Sequence, residues 1–157
     1  ISSAFSLMRS LEHTKGVKSA LTTFPGGHNS KFNTVSPIIQ SGERIHSKLK
    51  INPTGSTPLG PALWWAMQQD VLRDEERKII LILTDGMPDD LERSHRALKR
   101  AIKLGFEVYA IGIQSDCVKQ LLPDKHRIIQ NLGELSPALF HLFQSKLTRG
   151  THYGCMH

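Results

Sequence analysis

The chain contains an unbroken apolar run, Ile79-Ile80-Leu81-Ile82-Leu83, which continues directly into Thr84-Asp85-Gly86. Continuous apolar runs of this length are typical of parallel strands that are covered by helices on both faces. In open α/β sheets, ligands bind just outside the carboxyl ends of such strands, which is where Asp85 lies. The glycine that follows frees the backbone to turn. The run therefore predicts a buried parallel strand, and its last residues predict a candidate site.

Helical and strand-like patterns alternate along the rest of the chain. The predicted helices cover residues 2–13, 59–72, 89–105 and 136–147, and the predicted strands cover residues 17–24, 32–39, 79–83, 108–113 and 127–130. Pro37 has no N–H group to donate, so its strand belongs at the edge of a sheet. The alternation predicts an α/β fold in which helices cover both faces of a three-layer, open and mostly parallel sheet.

Local signals predict where two helices begin and how a third is oriented. Either Asp89 or Asp90 is expected to cap the helix that follows it. Ser136-Pro137 has the cap-then-proline order that begins a helix. Trp64 and Trp65 are adjacent on the predicted helix 59–72, and adjacent positions cannot both face the core. We therefore expect one tryptophan to be buried and the other to be half-covered.

Length and composition fit one globular domain. The 157 residues are 39% hydrophobic and 22% charged, which predicts a domain over residues 1–147 and a tail over residues 148–157. No apolar stretch approaches the roughly 20 residues that span a bilayer, so a membrane is not an expected partner. The first residues lack the basic region of a signal peptide, and two cysteines form no disulfide framework. These features predict a cytoplasmic protein.

The charge pattern argues against nucleic acid as a partner. The formal net charge is +6, but the basic residues are scattered among acidic ones. The densest basic groups, among them Lys99-Arg100, lie where predicted helices end, and cations there favour the helix dipole. The eight histidines are dispersed without paired ligand spacing, so a zinc site is not expected.

Two motifs carry oxygen ligands that suit a hard cation. The loop Gly55-Ser56-Thr57-Pro58 leads into a predicted helix, and the segment Thr84–Asp90 follows the apolar run. Mg²⁺ prefers oxygen ligands, takes few of them from the protein and keeps several waters. We therefore predict a metal site formed by the Asp85 carboxylate and the Thr57 hydroxyl. The competing interpretation is that Asp85 is only a turn residue, because Asp-Gly favours turns. Asp89 and Asp90 are expected to cap a helix rather than to bind metal.

At these motifs the sequence resembles the von Willebrand factor A domain family. Thr57 in Gly-Ser-Thr-Pro-Leu and the strand ending in Leu83-Thr84-Asp85-Gly86 look like two parts of its metal-ion-dependent adhesion site. Phe24-Pro25-Gly26, the helix starting Pro-Leu-Gly-Pro-Ala-Leu-Trp-Trp-Ala and the run ending in Asp89-Asp90 resemble the C-terminal domain of cobaltochelatase large-subunit-like proteins. The resemblance covers roughly residues 4–147.

The sequence departs from the family at its beginning. The family's site starts with an Asp-x-Ser-x-Ser loop at the end of the first, central strand, and no such motif is present. By this comparison the chain starts inside the helix after that loop. The first central strand is missing between the strands predicted at 17–24 and 79–83. We therefore interpret the sequence as a partial domain whose own affinity for Mg²⁺ is weak or absent.

The resemblance implies a non-catalytic, metal-dependent protein-binding module. Its Mg²⁺ would bind a carboxylate on a partner protein, such as an AAA+ ATPase subunit of a chelatase-type complex of cobalamin biosynthesis. One alternative is a Mg²⁺-dependent hydrolase or phosphatase, because Asp-Gly after a buried strand also occurs there. That chemistry needs a second acid two residues after the nucleophilic Asp, and Met87 occupies this position. The other alternative is an inactive structural fragment.

Overall fold

The computed structural model describes residues 2–13, 15–25, 35–44 and 55–147. In chain order, the elements are α1 (Ser2–Glu12), β1 (Leu21–Thr23), β2 (Ser36–Ile39), α2 (Leu59–Asp70), β3 (Lys78–Thr84), α3 (Leu91–Lys103), β4 (Phe106–Ile113), α4 (Val118–Leu121), β5 (His126–Ile129), a 3₁₀ turn (Leu132–Glu134) and α5 (Leu135–Leu147). The predicted tail, residues 148–157, and the first residues of the strand predicted at 32–39 lie outside the described residues.

The strands form two sheets. β3, β4 and β5 form a parallel sheet in that order, with Ile80 opposite Val108 and Ala110 opposite His126. β1 and β2 form a separate antiparallel pair in which Thr22 lies opposite Pro37. Among the described residues, no strand pairing connects β1 to β3. The parallel sheet and the alternation of helix and strand confirm the predicted α/β class, and Pro37 lies in a strand that has one partner.

Helices cover both faces of the parallel sheet. Alternate side chains of β4 point to opposite faces, and each set joins a different core cluster. Val108 and Ala110 pack with buried residues of α2, α3 and α4. Tyr109 and Ile111 pack with buried residues of α5, and Leu7 of α1 joins them. The predicted three-layer arrangement is therefore confirmed.

The contact between α2 and α3 depends on one glycine. A β-carbon at Gly60 would lie 3.1 Å from the Arg93 side chain and 3.2 Å from the backbone of Arg93 and Ser94. The absence of a side chain lets the first turn of α2 pack closely on the first turn of α3. Asp90 caps α3, since its carboxylate accepts a hydrogen bond from the Arg93 backbone N–H at 2.8 Å. The close packing at Gly60 holds the starts of α2 and α3 together at the same end of the sheet.

β3 is less buried than its sequence predicts. Its apolar run is typical of a strand that is covered on both faces, yet Ile79 is 43% exposed and only Ile82 and Thr84 are buried. The reason is that β3 has β4 as a neighbour on one side only, within the part of the chain that the structure describes. The other side faces a cleft.

Two predictions about helices were wrong in detail. Neither tryptophan is buried: Trp64 is 40% exposed and Trp65 is half-buried. The last helix begins at Leu135 rather than at Ser136-Pro137. Asn131 caps the preceding 3₁₀ turn through a hydrogen bond from the Gly133 N–H, so the chain is already helical before Ser136. The short helix α4 was not predicted at all.

Tyr109 of β4 has a buried ring and a hydroxyl that makes a hydrogen bond. Tyr109 is 1% exposed, packs edge-on against Phe143 and donates a hydrogen bond to the Glu107 carboxylate at 3.0 Å. Arg77 donates two further bonds to the same carboxylate. Burial first, and then the bond to Glu107, raise the pKa of Tyr109 above 10.0. The neutral hydroxyl is therefore the form that the folded state favours.

Tyr109→Phe tests this tyrosine. A raised pKa contributes stability that is fully present below pH 10 and is lost as the pH rises through the higher pKa of the folded state. The free energy of unfolding should therefore fall above pH 10. The phenylalanine variant should lose about 1.5–3 kcal/mol at neutral pH, the usual range for a hydrogen bond to a charged group, and should show a smaller alkaline decrease. Denaturant unfolding at several pH values measures both, with the unsubstituted protein as the reference. Equal alkaline decreases in the variant and in the unsubstituted protein would contradict the assignment.

Candidate functional site

Three loops converge at the carboxyl end of the parallel sheet. One is residues 55–58, which lead into α2; the second is residues 85–90 after β3; the third is residues 114–117 after β4. Their mutual contacts are hydrogen bonds between backbone and side-chain groups. The loops therefore form one connected surface, at the edge where parallel sheets bind ligands.

Asp89 joins the first loop to the second. Its carboxylate accepts a hydrogen bond from the Thr57 N–H at 2.6 Å, and its own N–H donates to the Thr57 carbonyl at 3.0 Å. Asp90 alone caps α3. The expectation that Asp89 shares this capping role was wrong, because its side chain points to the neighbouring loop. The sequence contained no signal for this reciprocal contact between residues 32 positions apart.

The contact places Thr57 next to the turn that carries Asp85. The Thr57 hydroxyl oxygen lies 3.4 Å from the position that a β-carbon would occupy on Gly86, the residue directly after Asp85. Asp85 is exposed. Within the described ranges its carboxylate has neither a hydrogen-bond nor an ion-pair partner. A free carboxylate and a hydroxyl thus lie on adjacent loops, and both are hard oxygen donors of the kind that Mg²⁺ prefers.

Hydrogen bonds from buried side chains hold the turn after β3 in place. Thr84 is 7% exposed, and its hydroxyl donates to the Gly86 carbonyl at 3.0 Å and accepts from the Gly86 N–H at 3.3 Å. The Cys117 thiol donates to the same carbonyl at 3.1 Å. These bonds connect the turn that carries Asp85 to β3 and to the loop after β4. Neither Thr84 nor Cys117 was singled out in the sequence as a positioning residue.

The third loop is folded tightly against β4. A β-carbon at Gly112 would lie 2.1 Å from the Ser115 carbonyl oxygen, so only glycine fits there. The Ser115 hydroxyl in turn donates to the Cys117 sulfur at 3.2 Å. Gln114 has a φ of 54°, an uncommon value for a residue with a side chain, and its N–H donates to the Ile129 carbonyl. This tight turn places the Cys117 thiol next to the Gly86 carbonyl.

The donor set is sufficient for only part of a metal coordination shell. Among the described residues there is no group of three or more His, Cys, Asp or Glu side chains that could hold a metal ion. Asp85 and Thr57 supply two oxygen donors of the kind that Mg²⁺ takes, and Mg²⁺ usually keeps several waters. The arrangement therefore fits a cation that binds weakly by itself and has positions left for further oxygen ligands.

The Asp89 contact predicts a specific response to substitution. Asp89→Ala removes the acceptor for the Thr57 N–H, so hydrogen exchange at the Thr57 amide should become faster. Asp89→Asn keeps an oxygen in the same place and should keep the exchange slow. Amide exchange followed by NMR compares the two variants directly. If alanine and asparagine gave the same exchange rate, the carboxylate would not be what holds this loop.

Comparison with known proteins agrees with the fold. The von Willebrand factor type A domain matches residues 6–128, which is 123 of the 157 residues. No curated protein matches the chain. In the described part of the chain, no helix combines the length and apolarity needed to cross a membrane. The match indicates a module of the protein-interaction or metal-binding type. The chain belongs to the von Willebrand factor type A family.

Proposed function

We propose that this domain binds Mg²⁺ through Asp85 and Thr57 and uses the ion to hold a carboxylate of a partner protein. One observation carries the proposal: the Thr57 hydroxyl lies against the Asp85-Gly86 turn, and the Asp85 carboxylate is exposed and unpaired among the described residues. Thr57 is held there by Asp89, and the turn is held by Thr84 and Cys117. These bonds support the proposal because they hold the Thr57 backbone beside the turn that carries Asp85.

Metal and partner are expected to bind cooperatively. Two protein ligands leave most of an octahedral shell to water, so the affinity of the domain alone for Mg²⁺ is weak. A partner carboxylate adds both a ligand and a negative charge. By linkage, the ion must raise the affinity for the partner by the same factor by which the partner raises the affinity for the ion.

The role we propose is binding rather than catalysis. A phosphatase of the Asp-nucleophile type needs a second acid two residues after Asp85, and Met87 there is 50% exposed and carries no proton-transfer group. The resemblance of the α2 region to cobaltochelatase large-subunit-like proteins supports a partner from a chelatase-type complex, such as its AAA+ ATPase subunit. Any chelatase activity would then belong to the whole complex.

Paramagnetic broadening by Mn²⁺ tests the metal site without a partner. Mn²⁺ takes oxygen ligands as Mg²⁺ does, and it broadens NMR signals even when it binds weakly. Amide signals of residues 55–57, 84–87 and 89 should broaden first as Mn²⁺ is added. Asp85→Asn should remove this selective broadening. Asp124→Asn is the matched control, because Asp124 is an exposed aspartate that precedes β5, at the opposite end of the sheet. Broadening that begins elsewhere, or that persists in Asp85→Asn, would overturn the assignment.

Substitutions of Asp85 and of Asp90 should have opposite effects on partner binding and on stability. Asp85→Ala should abolish Mg²⁺-dependent pull-down while changing the melting temperature little, since the side chain is exposed and unpaired in the described structure. Asp90→Ala should cost about 0.5–2 kcal/mol, the usual range for a lost helix cap, and should retain Mg²⁺-dependent binding. Release by EDTA distinguishes metal-dependent capture from adhesion. Capture by Asp85→Ala that still responds to EDTA would show that the metal lies elsewhere.

A further inference from the structure

The outer face of α3 carries a continuous row of positive charge. The helix contains five basic residues and one acidic residue, and all five basic residues are exposed. Four of them follow one another at spacings of three, four and three residues, namely Arg93, Arg96, Arg100 and Lys103. Residues three and four apart are neighbours on a helix surface, so these side chains form one row, which we call the basic stripe. At the helical rise per residue, the stripe is about 15 Å long.

In the described structure, no acidic side chain forms an ion pair with the basic stripe. All 14 Asp and Glu residues of the sequence lie within the described ranges. The ion pairs found there use Lys18, Arg73 and Arg77 as their cations. The positive charge of the stripe is therefore available to an anion from outside the domain.

Helix stability does not account for the basic stripe. Arg100 and Lys103 lie in the last turn, where cations suit the negative end of the helix dipole. Arg93 lies in the first turn, where the positive end of the dipole disfavours a cation. Like charges three or four residues apart also repel one another, and the stripe consists of such neighbours. Because this repulsion opposes the helix, a role in binding explains the stripe better than a role in stability.

The basic stripe begins beside the candidate metal site. The Arg93 N–H donates to the Asp90 carboxylate at 2.8 Å, and Asp89, the residue before Asp90, accepts a hydrogen bond from the Thr57 N–H. The Arg93 side chain lies 3.1 Å from the position that a β-carbon would take on Gly60, at the start of α2. An extended polypeptide of about ten residues, at roughly 3.3 Å per residue, would therefore reach from the loops of the site along the whole stripe.

Neighbouring side chains favour an acidic polypeptide over a nucleic acid as the ligand of the stripe. Ile102 of α3 is 47% exposed, and Trp64, one turn after Gly60 on α2, is 40% exposed. Exposed apolar groups near cations suit a ligand that carries both carboxylates and apolar side chains. The segment where the stripe begins carries exposed acids, namely Asp85, Asp89, Asp90 and Glu92. These acids would repel a nucleic acid, which is charged along its entire length, whereas a polypeptide can place its carboxylates along the stripe and at the ion.

We propose that the basic stripe binds an acidic segment of the partner protein, in which Asp and Glu residues are interspersed with apolar ones. The proposal deepens the proposed function and rests on it in one respect, namely that a carboxylate of the same segment binds the ion at Asp85. Binding to the stripe itself needs no metal, because the cations of α3 attract carboxylates with or without the ion. The stripe and the ion thus contribute separately to the affinity for the partner, and each contribution can be removed alone.

The probe is the fluorescein-labelled peptide Gly-Glu-Leu-Glu-Asp-Ile-Glu-Leu-Glu-Gly, and its control has Gln and Asn in place of Glu and Asp. In EDTA at low ionic strength, fluorescence anisotropy should show saturable binding of the acidic peptide alone, weakened by added salt. Arg96→Glu should weaken this binding by about tenfold. Lys15→Glu, the same change of charge at an exposed position after α1, should change it little. Equal weakening by both variants, or equal binding of both peptides, would overturn the proposal. So would tighter binding, through Arg96, of an oligonucleotide of equal charge or of vesicles containing phosphatidylserine.

The melting temperature separates binding from a structural role of Arg96. Arg96→Glu places a carboxylate three residues from Arg93 and Lys99 and four residues from Arg100, so opposite charges replace like charges as neighbours. The melting temperature of this variant, followed by circular dichroism, should therefore rise while its affinity for the peptide falls. A melting temperature that falls together with the affinity would show that Arg96 acts on folding, and it would contradict the proposal.

Mg²⁺ separates the stripe from the metal site. At constant ionic strength, Mg²⁺ should tighten binding of the acidic peptide to the unsubstituted protein and to Arg96→Glu, but not to Asp85→Asn. If Mg²⁺ had no effect on the unsubstituted protein, the proposed metal function would fail, and the dependence on Arg96 in EDTA would still support the stripe. If Mg²⁺ tightened binding and Arg96→Glu bound as well as the unsubstituted protein, the metal site would be supported and the stripe would be refuted.

Discussion

The burial of β4 on both faces is the constraint on which the rest of the structure depends. Val108, Tyr109, Ala110 and Ile111 are each at most 1% exposed, and they alternate between the two core clusters. In the part of the chain that the structure describes, β4 is also the strand that has a parallel partner on each side. Because β3 and β5 take their register from it, the loops that follow β3 and β4 emerge side by side. The candidate site follows from this register.

The site itself is held by hydrogen bonds rather than by apolar packing. Asp89 binds the backbone of Thr57 through both its carboxylate and its N–H, and the Gly86 carbonyl accepts from Thr84 and Cys117. Such bonds fix loop positions with little buried surface. Asp85 can therefore remain exposed and free of partners in the described structure while its backbone is well positioned. That combination suits an ion that must exchange between water and a partner.

Much of the fold could be predicted from sequence because it depends on local periodicity. The apolar runs of β3 and β4 predict their strands, and Asp90 marks the start of α3. The details that failed depend on contacts distant in the chain. The exposure of Ile79 follows from the lack of a second neighbour for β3 among the described residues, and the position of Trp65 follows from the cleft beside α2. The start of α5 was misplaced because Asn131 caps a 3₁₀ turn ahead of Ser136.

In the candidate site, too, residues in local motifs could be predicted, whereas roles that depend on contacts distant in the chain could not. Thr57 and Asp85 could be selected because each occupies a recognisable motif, and the structure places their loops together. Asp89, Thr84 and Cys117 could not be assigned positioning roles, because those roles depend on which loops meet in space.

A crystal structure of the domain soaked in Mn²⁺ and measured at the manganese absorption edge tests the central claim most directly. The account predicts one anomalous peak at the carboxyl end of β3. The Thr57 hydroxyl should lie about 2.0–2.3 Å from the ion, close to the distance for hard divalent cations. The Asp85 carboxylate should bind it directly or through one water. A peak that lies away from both residues, with Asp85 and Thr57 turned from one another, would contradict the assignment of this edge as the metal site.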